Sequence, residues 1–154
     1  MDNGLMEKYR SLIENNQFAI HNHVVLTDLH EGDAEGYLDV KEDTLNPYGM
    51  IHGGAFYTLA DVTAGIAARS NGHAYVTQTA DLHYLSTTKE KRIFGRSTVI
   101  HSGRTTVIVE SRVTDGAGKK LFLATFTFYC VDGRDYTKKY EKPEQESGSA
   151  GRDK

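Results

Sequence analysis

One cysteine, Cys130, in 154 residues leaves this chain unable to close a disulfide on itself and fits a reducing compartment. No apolar run approaches the length of a membrane span, and Met1-Asp2-Asn3-Gly4 carries neither the basic region nor the apolar core of a signal peptide. Charge of one sign is also missing. With 18 basic against 21 acidic residues, a net charge of −3 argues against a nucleic-acid footprint. The expectation is a cytoplasmic domain with no nucleic-acid or membrane partner. Its length suits one domain with a sizeable core.

What is present is concentrated in one stretch. Asn46-Pro47-Tyr48-Gly49-Met50-Ile51-His52-Gly53-Gly54 is a polar, turn-rich loop that ends in two glycines. It runs into Ala55-Phe56-Tyr57-Thr58-Leu59-Ala60-Asp61, a helical pattern of small and apolar residues with one carboxylate seven positions beyond Gly54. Glycines at a helix start admit a ligand close to the backbone, and the free N–H groups there favour an oxygen bearing negative charge. A lone Asp on an apolar helix needs a reason to be there. A donor cradle with a nearby carboxylate suggests hydrolysis of an acyl compound.

The flanking pattern predicts the setting. Leu5, Met6, Tyr9, Leu12 and Ile13 recur at helical spacing, predicting a helix over about 5–16. Val24-Val25-Leu26 reads as a short strand, 34–40 as another, and 53–70 as a helix. Four later strands are expected at 74–85, 92–101, 104–114 and 120–131, joined as one antiparallel meander. The strand holding Tyr37 must join it to bury its own apolar face. A helix small and apolar nearly all round is buried rather than superficial. The reading is α+β: a curved antiparallel sheet wrapped around one long central helix over residues 1–132. A polar tail at 133–154 has no apolar run and is expected to be disordered.

This arrangement resembles the hotdog-fold acyl-CoA thioesterases, in particular the PaaI-like family related to phenylacetate degradation. Asn46, Gly49, His52-Gly53-Gly54 and Leu59-Ala60-Asp61 carry the likeness, with Asp61 nine positions after His52. The strand Val76-Thr77-Gln78-Thr79-Ala80-Asp81-Leu82-His83-Tyr84-Leu85 and the turn Ser102-Gly103-Arg104-Thr105 extend it. The resemblance implies that the Gly53 amide, helped by Asn46, polarises a thioester carbonyl while His52 orients Asn46. Asp61 then activates water or attacks directly, and Thr77, where the family has Ser or Thr, holds Asp61 or the water. Gly54 and Tyr84 are expected beside the substrate, with Gly103, Arg104 and Thr105 near coenzyme A. An acyl-CoA substrate and no cofactor are implied.

Helix geometry adds a constraint of its own. Gly53 and Asp61 lie eight residues apart on one helix, so their backbones are separated by about 12 Å. One carbonyl cannot meet both, because donor and base must each come near 3 Å of the reacting group. If both act on one substrate, they come from different subunits. A homodimer at least is expected, and the family adds a pairing of dimers into a homotetramer.

Other residues read as structural. His21 and His23 lack a cysteine or carboxylate beside them, so no metal is expected. Cys130 reads as a core hydrophobe, and Lys89, Lys91 and Arg92 as a solvated basic cluster. Tyr48, Phe56, Tyr57 and Tyr84 fit either an aromatic pocket or the core. Two other functions stay open: hydration or dehydration of acyl thioesters, and acyl-CoA binding without turnover.

Overall fold

The structure, a computed structural model, describes residues 3–132. The expected tail at 133–154 lies outside them. Two helices open the chain, α1 (Asn3–Glu14) and α2 (Gln17–His21), where one was expected. The break comes at Asn16, whose Oδ1 accepts the Ala19 N–H at 3.1 Å and starts a new helix. Strand β1 (Val24–His30) is longer than its apolar start suggested and pairs with β2 (Asp33–Asp39). Helix α3 (Gly53–Arg69) follows, then β3 (Tyr75–Tyr84), β4 (Arg92–Ser102), β5 (Thr106–Thr114) and β6 (Lys120–Cys130).

All six strands form one antiparallel sheet in the order β1-β2-β4-β5-β6-β3. The expected four-strand meander is therefore corrected: β4, β5 and β6 form one, but β3 lies at the far edge beside β6. The cause is α3, which carries the chain from β2 across the sheet face before β3 begins, so the place next to β4 is filled by β2. Tyr37 sits opposite Phe94 in that pairing, and its strand joins the sheet as expected.

Burial alternates with period two along β2, β4 and β5, the signature of a sheet with one covered face. Helix α3 covers it. Leu29, Leu38, Leu59, Ile93, Val109, Phe122 and Phe126 meet there, each almost fully removed from water. Two glycines let the helix sit close. Gly36 and Gly95 face each other across β2 and β4. A Cβ on Gly95 would lie 2.9 Å from Leu59 Cγ, and one on Gly36 would lie 3.2 Å from Thr63 Cγ2 of the helix and 2.7 Å from the Val25 carbonyl oxygen of β1. Beside this contact Thr63 Oγ1 meets Ser97 Oγ at 2.7 Å, and Ser97 Oγ donates to Ser111 Oγ at 2.8 Å. Thr63 also donates to the Leu59 carbonyl at 2.9 Å. These buried hydroxyls are all satisfied and fix the helix over the sheet. Among the described residues no helix is long and apolar enough to cross a membrane.

Candidate active site

The loop before α3 is built by its own side chains. Asn46 Oδ1 accepts the backbone N–H groups of Tyr48 at 2.9 Å and Met50 at 3.1 Å, closing a turn in which Gly49 has φ of 77°. The oxygen of the Asn46 amide is thus committed to the loop, and its NH2 is the end left to donate outward. His52 caps the helix, its Nδ1 accepting the Gly54 N–H at 2.8 Å. No hydrogen bond joins His52 to Asn46 among the described residues; the loop shape comes from each acting separately. The Ala55 N–H binds the His52 carbonyl at 2.9 Å. Of these first amides, Gly53 alone has no hydrogen-bond partner among the described residues.

Gly53 lines a cavity of about 410 Å³ together with Asn46, Ile51, Phe56, Tyr84 and Leu85, among others. The Tyr84 ring crosses it so closely that a Cβ on Gly53 would fall 3.1 Å from the ring. Phe56 stacks on Phe122 with centroids 6.2 Å apart, and Tyr84 meets Phe122 edge-on at 5.3 Å. Of the four aromatics considered from sequence, Phe56 and Tyr84 line this cavity, whereas Tyr57 packs against Phe126. Tyr48 is exposed and lines a neighbouring cavity of about 400 Å³ with Lys89 and Lys91. Arg92 leaves that basic cluster: its guanidinium lies 3.7 Å over the Tyr37 ring, and Nε donates to Asp39 at 2.7 Å.

Asp61 lies two turns further along α3, half-buried, and its Oδ1 accepts the Thr77 hydroxyl at 2.8 Å. Oδ2 has no protein partner among the described residues. A register shift between Thr77 and Thr79 bulges β3 at this point, and such bulges re-aim side chains. Burial pushes the Asp61 carboxyl above the ordinary carboxylate range, while the Thr77 hydrogen bond and the Arg69 charge pull the other way. Arg69 was not singled out from sequence. At i+8 on α3, its side chain passes over Gly65, where a Cβ would stand 3.0 Å from Nη1, and Nη2 donates to the Tyr75 carbonyl at 2.9 Å. Spacing of four and eight residues from Asp61 was the signal available. The Tyr57 phenol, one turn before Asp61, is raised by burial and by the Asp61 charge.

The structure thus brings Asn46, Gly53, Phe56 and Tyr84 to one cavity, and Asp61 and Thr77 to a second position. The Gly103-Arg104-Thr105 turn is exposed between β4 and β5, its Gly103 N–H bound to the Thr106 carbonyl at 2.8 Å. Cys130, expected as a core hydrophobe, packs against the margin of the core. It is half-buried at the end of β6, with its thiol near His73 and Asp132.

Comparison with known proteins identifies the architecture. Residues 48–122 match the thioesterase superfamily. A protein of Archaeoglobus fulgidus named provisionally as an esterase is 26% identical over 108 residues, 70% of either chain. The E. coli PaaI protein of the phenylacetic acid degradation operon superimposes with a TM-score of 0.78 over 82% of this chain and 93% of its own, at 21% identity. A hypothetical thioesterase of Streptococcus pneumoniae TIGR4, solved with coenzyme A, is 28% identical, with a TM-score of 0.68 over 73% of this chain and 91% of its own. That protein was also solved with one aspartate and, separately, one threonine replaced by alanine, at positions sixteen residues apart. The chain carries a thioesterase-superfamily domain at residues 48–122, on a hotdog fold shared with the PaaI proteins.

Proposed function

We propose that this protein hydrolyses acyl-CoA thioesters to a free acid and coenzyme A, at a site shared between two subunits. The observation that carries the reading is the unpaired amide of Gly53 at the start of α3, a residue that lines an aromatic-walled cavity. About 12 Å along the same helix stands a half-buried carboxylate held by a threonine. The amide and the Asn46 NH2 receive the thioester carbonyl oxygen as it gains negative charge. The acyl group lies against Phe56 and Tyr84, beside Gly54, and the coenzyme runs past Gly103, Arg104 and Thr105.

Ionised Asp61 of the other subunit starts the reaction. As base it takes a proton from water, whose oxygen attacks the carbonyl carbon; the C–S bond then breaks and the proton passes to the departing thiolate. As nucleophile its Oδ2 attacks the carbonyl carbon, the C–S bond breaks to expel the coenzyme A thiolate, and water cleaves the resulting mixed anhydride to free acid and regenerated Asp61, giving a proton to the thiolate. Thr77 holds Oδ1 in either route. The Asp61 and Thr77 spacing equals that of the aspartate and threonine replaced in the S. pneumoniae protein, which supports a shared role.

The free edge of β3 supports the pairing of subunits. Val76, Tyr84 and Leu85 are each at least half exposed along it, and an apolar unpaired edge invites a second copy. The assembly is a homodimer, with pairing of dimers into a tetramer as in the family. The His52 Nδ1 is occupied by the Gly54 N–H, so the histidine a hydratase would need as base is engaged as a cap. The test is a screen for free thiol release across aryl-, hydroxyaryl- and medium-chain acyl-CoA, with Asp61→Asn as control. Thiol release that needs Asp61 supports the reading. A change in enoyl absorbance without thiol would point to hydration, and tight binding without either would point to a binding module.

A further inference from the structure

Three side chains of different chemistry meet where β6 ends and β3 begins. His73, Cys130 and Asp132 each offer one ligand atom, and the three atoms lie within 4.8 Å of one another. His73 Nδ1 and Asp132 Oδ2 share a short hydrogen bond. A tetrahedral zinc ion with bonds of about 2.0–2.3 Å sets its donors roughly 3.3–3.8 Å apart. The cluster therefore needs only small side-chain shifts to close on an ion.

The backbone around it is already fixed. The Cys130 N–H binds the Thr105 carbonyl at 2.7 Å, and the Val131 N–H binds the Ala74 carbonyl at 2.9 Å. The Ala74 N–H donates to Asp132 Oδ1 at 2.7 Å, orienting the carboxylate so that Oδ2 faces His73 Nδ1. The His73 N–H donates to Asn71 Oδ1 at 3.0 Å, and Asn71 in turn binds the Tyr75 hydroxyl at 2.7 Å. Such outer contacts are what hold metal ligands in position. His73 and Asp132 are about half exposed, so an ion could enter from solvent and keep a water as its fourth ligand.

We propose that His73, Cys130 and Asp132 form a binding site for a borderline-soft divalent cation of the zinc type. A thiolate, an imidazole and a carboxylate are the donor set that such an ion selects over magnesium or calcium. One thiolate and one carboxylate neutralise its two charges. On binding, the ion takes the place of the hydrogen bond between His73 Nδ1 and Asp132 Oδ2, with the Cys130 thiolate as its third ligand. It fastens the start of β3 to the end of β6, next to the turn at Thr105. The site does not depend on the hydrolase reading.

Cobalt(II) tests it, because thiolate bound to cobalt absorbs in the near ultraviolet and the chain has one cysteine. Titration of the full-length protein in thiol-free buffer should give that band, saturating at one ion per chain and abolished by competing zinc. Cys130→Ser should lose the band. His73→Ala should weaken binding by roughly tenfold or more, at least the cost of losing an outer-shell partner. A folded wild-type protein that shows no thiolate band overturns the proposal, as does a His73→Ala variant that binds like wild type.

Discussion

Asp61 is held in two opposed conditions. Burial raises its pKa, and the Thr77 hydroxyl and Arg69 charge only partly offset this. A carboxyl raised above its ordinary value keeps its proton in the folded chain at pH values where the unfolded chain has released it. Stability therefore falls as pH rises from that value through the folded pKa, and above the window the ionised group carries the full cost. In the proposed mechanism activity runs the opposite way, since base or nucleophile must be ionised, and its acid limb should report the raised pKa. Asp61→Asn can keep the Thr77 hydrogen bond and removes the charge. Turnover should drop by roughly 10²-fold or more, the scale of a missing general base. The variant should also melt at a higher temperature than wild type at neutral pH, with the gap narrowing on acidification. Thermal melts across pH, beside steady-state rates, check both; a variant that is inactive and also less stable at neutral pH would contradict the burial argument.

Helix α3 is seated by absence of side chains as much as by their presence. Gly95→Ala places a methyl 2.9 Å from Leu59 Cγ, in a core with no slack, and should cost about 1–3 kcal/mol of stability by urea unfolding. A midpoint equal to wild type would show that the helix is not held as closely as the contact implies. How such an element reads from sequence depends on where its information lies. Helix α3 and the strands were legible, because apolar and small residues recur at periods of 3.6 and 2 within single segments. Spacing singles out Asn46, Gly53 and Asp61, of which the structure brings Asn46 and Gly53 to one cavity, and the distance from Gly53 to Asp61 along the helix follows from rise alone. The place of β3 was not legible: nothing within 75–84 says that its partner is β6 rather than β4, since pairing is decided by the crossover of α3. The bulge beside Thr77 is a backbone feature with no residue signature. The His73, Cys130 and Asp132 group is assembled by pairing between residues more than fifty positions apart, which no local pattern records.

At the scale of the whole molecule, the single chain holds two halves that it cannot bring together. The Gly53 amide and the Asp61 carboxylate lie on one rigid helix, about 12 Å apart at their backbones. In the proposed dimer each takes its complement from the second copy, across the exposed edge of β3 that carries Thr77. Two separately inactive variants therefore test the central claim. Gly53→Val spoils the oxyanion side, its side chain meeting the Tyr84 ring 3.1 Å away, and Asp61→Asn spoils the other. In a mixed dimer one site collects both lesions and the other collects none. Random pairing makes half the dimers mixed with one intact site of two, so activity should return to about a quarter of wild type by two-fold symmetry. The measurement is thiol release after the two variants are mixed, dissociated and reassociated, with subunit exchange followed by mass. Recovery near a quarter is the predicted result; confirmed exchange with no recovery would contradict a site shared between subunits.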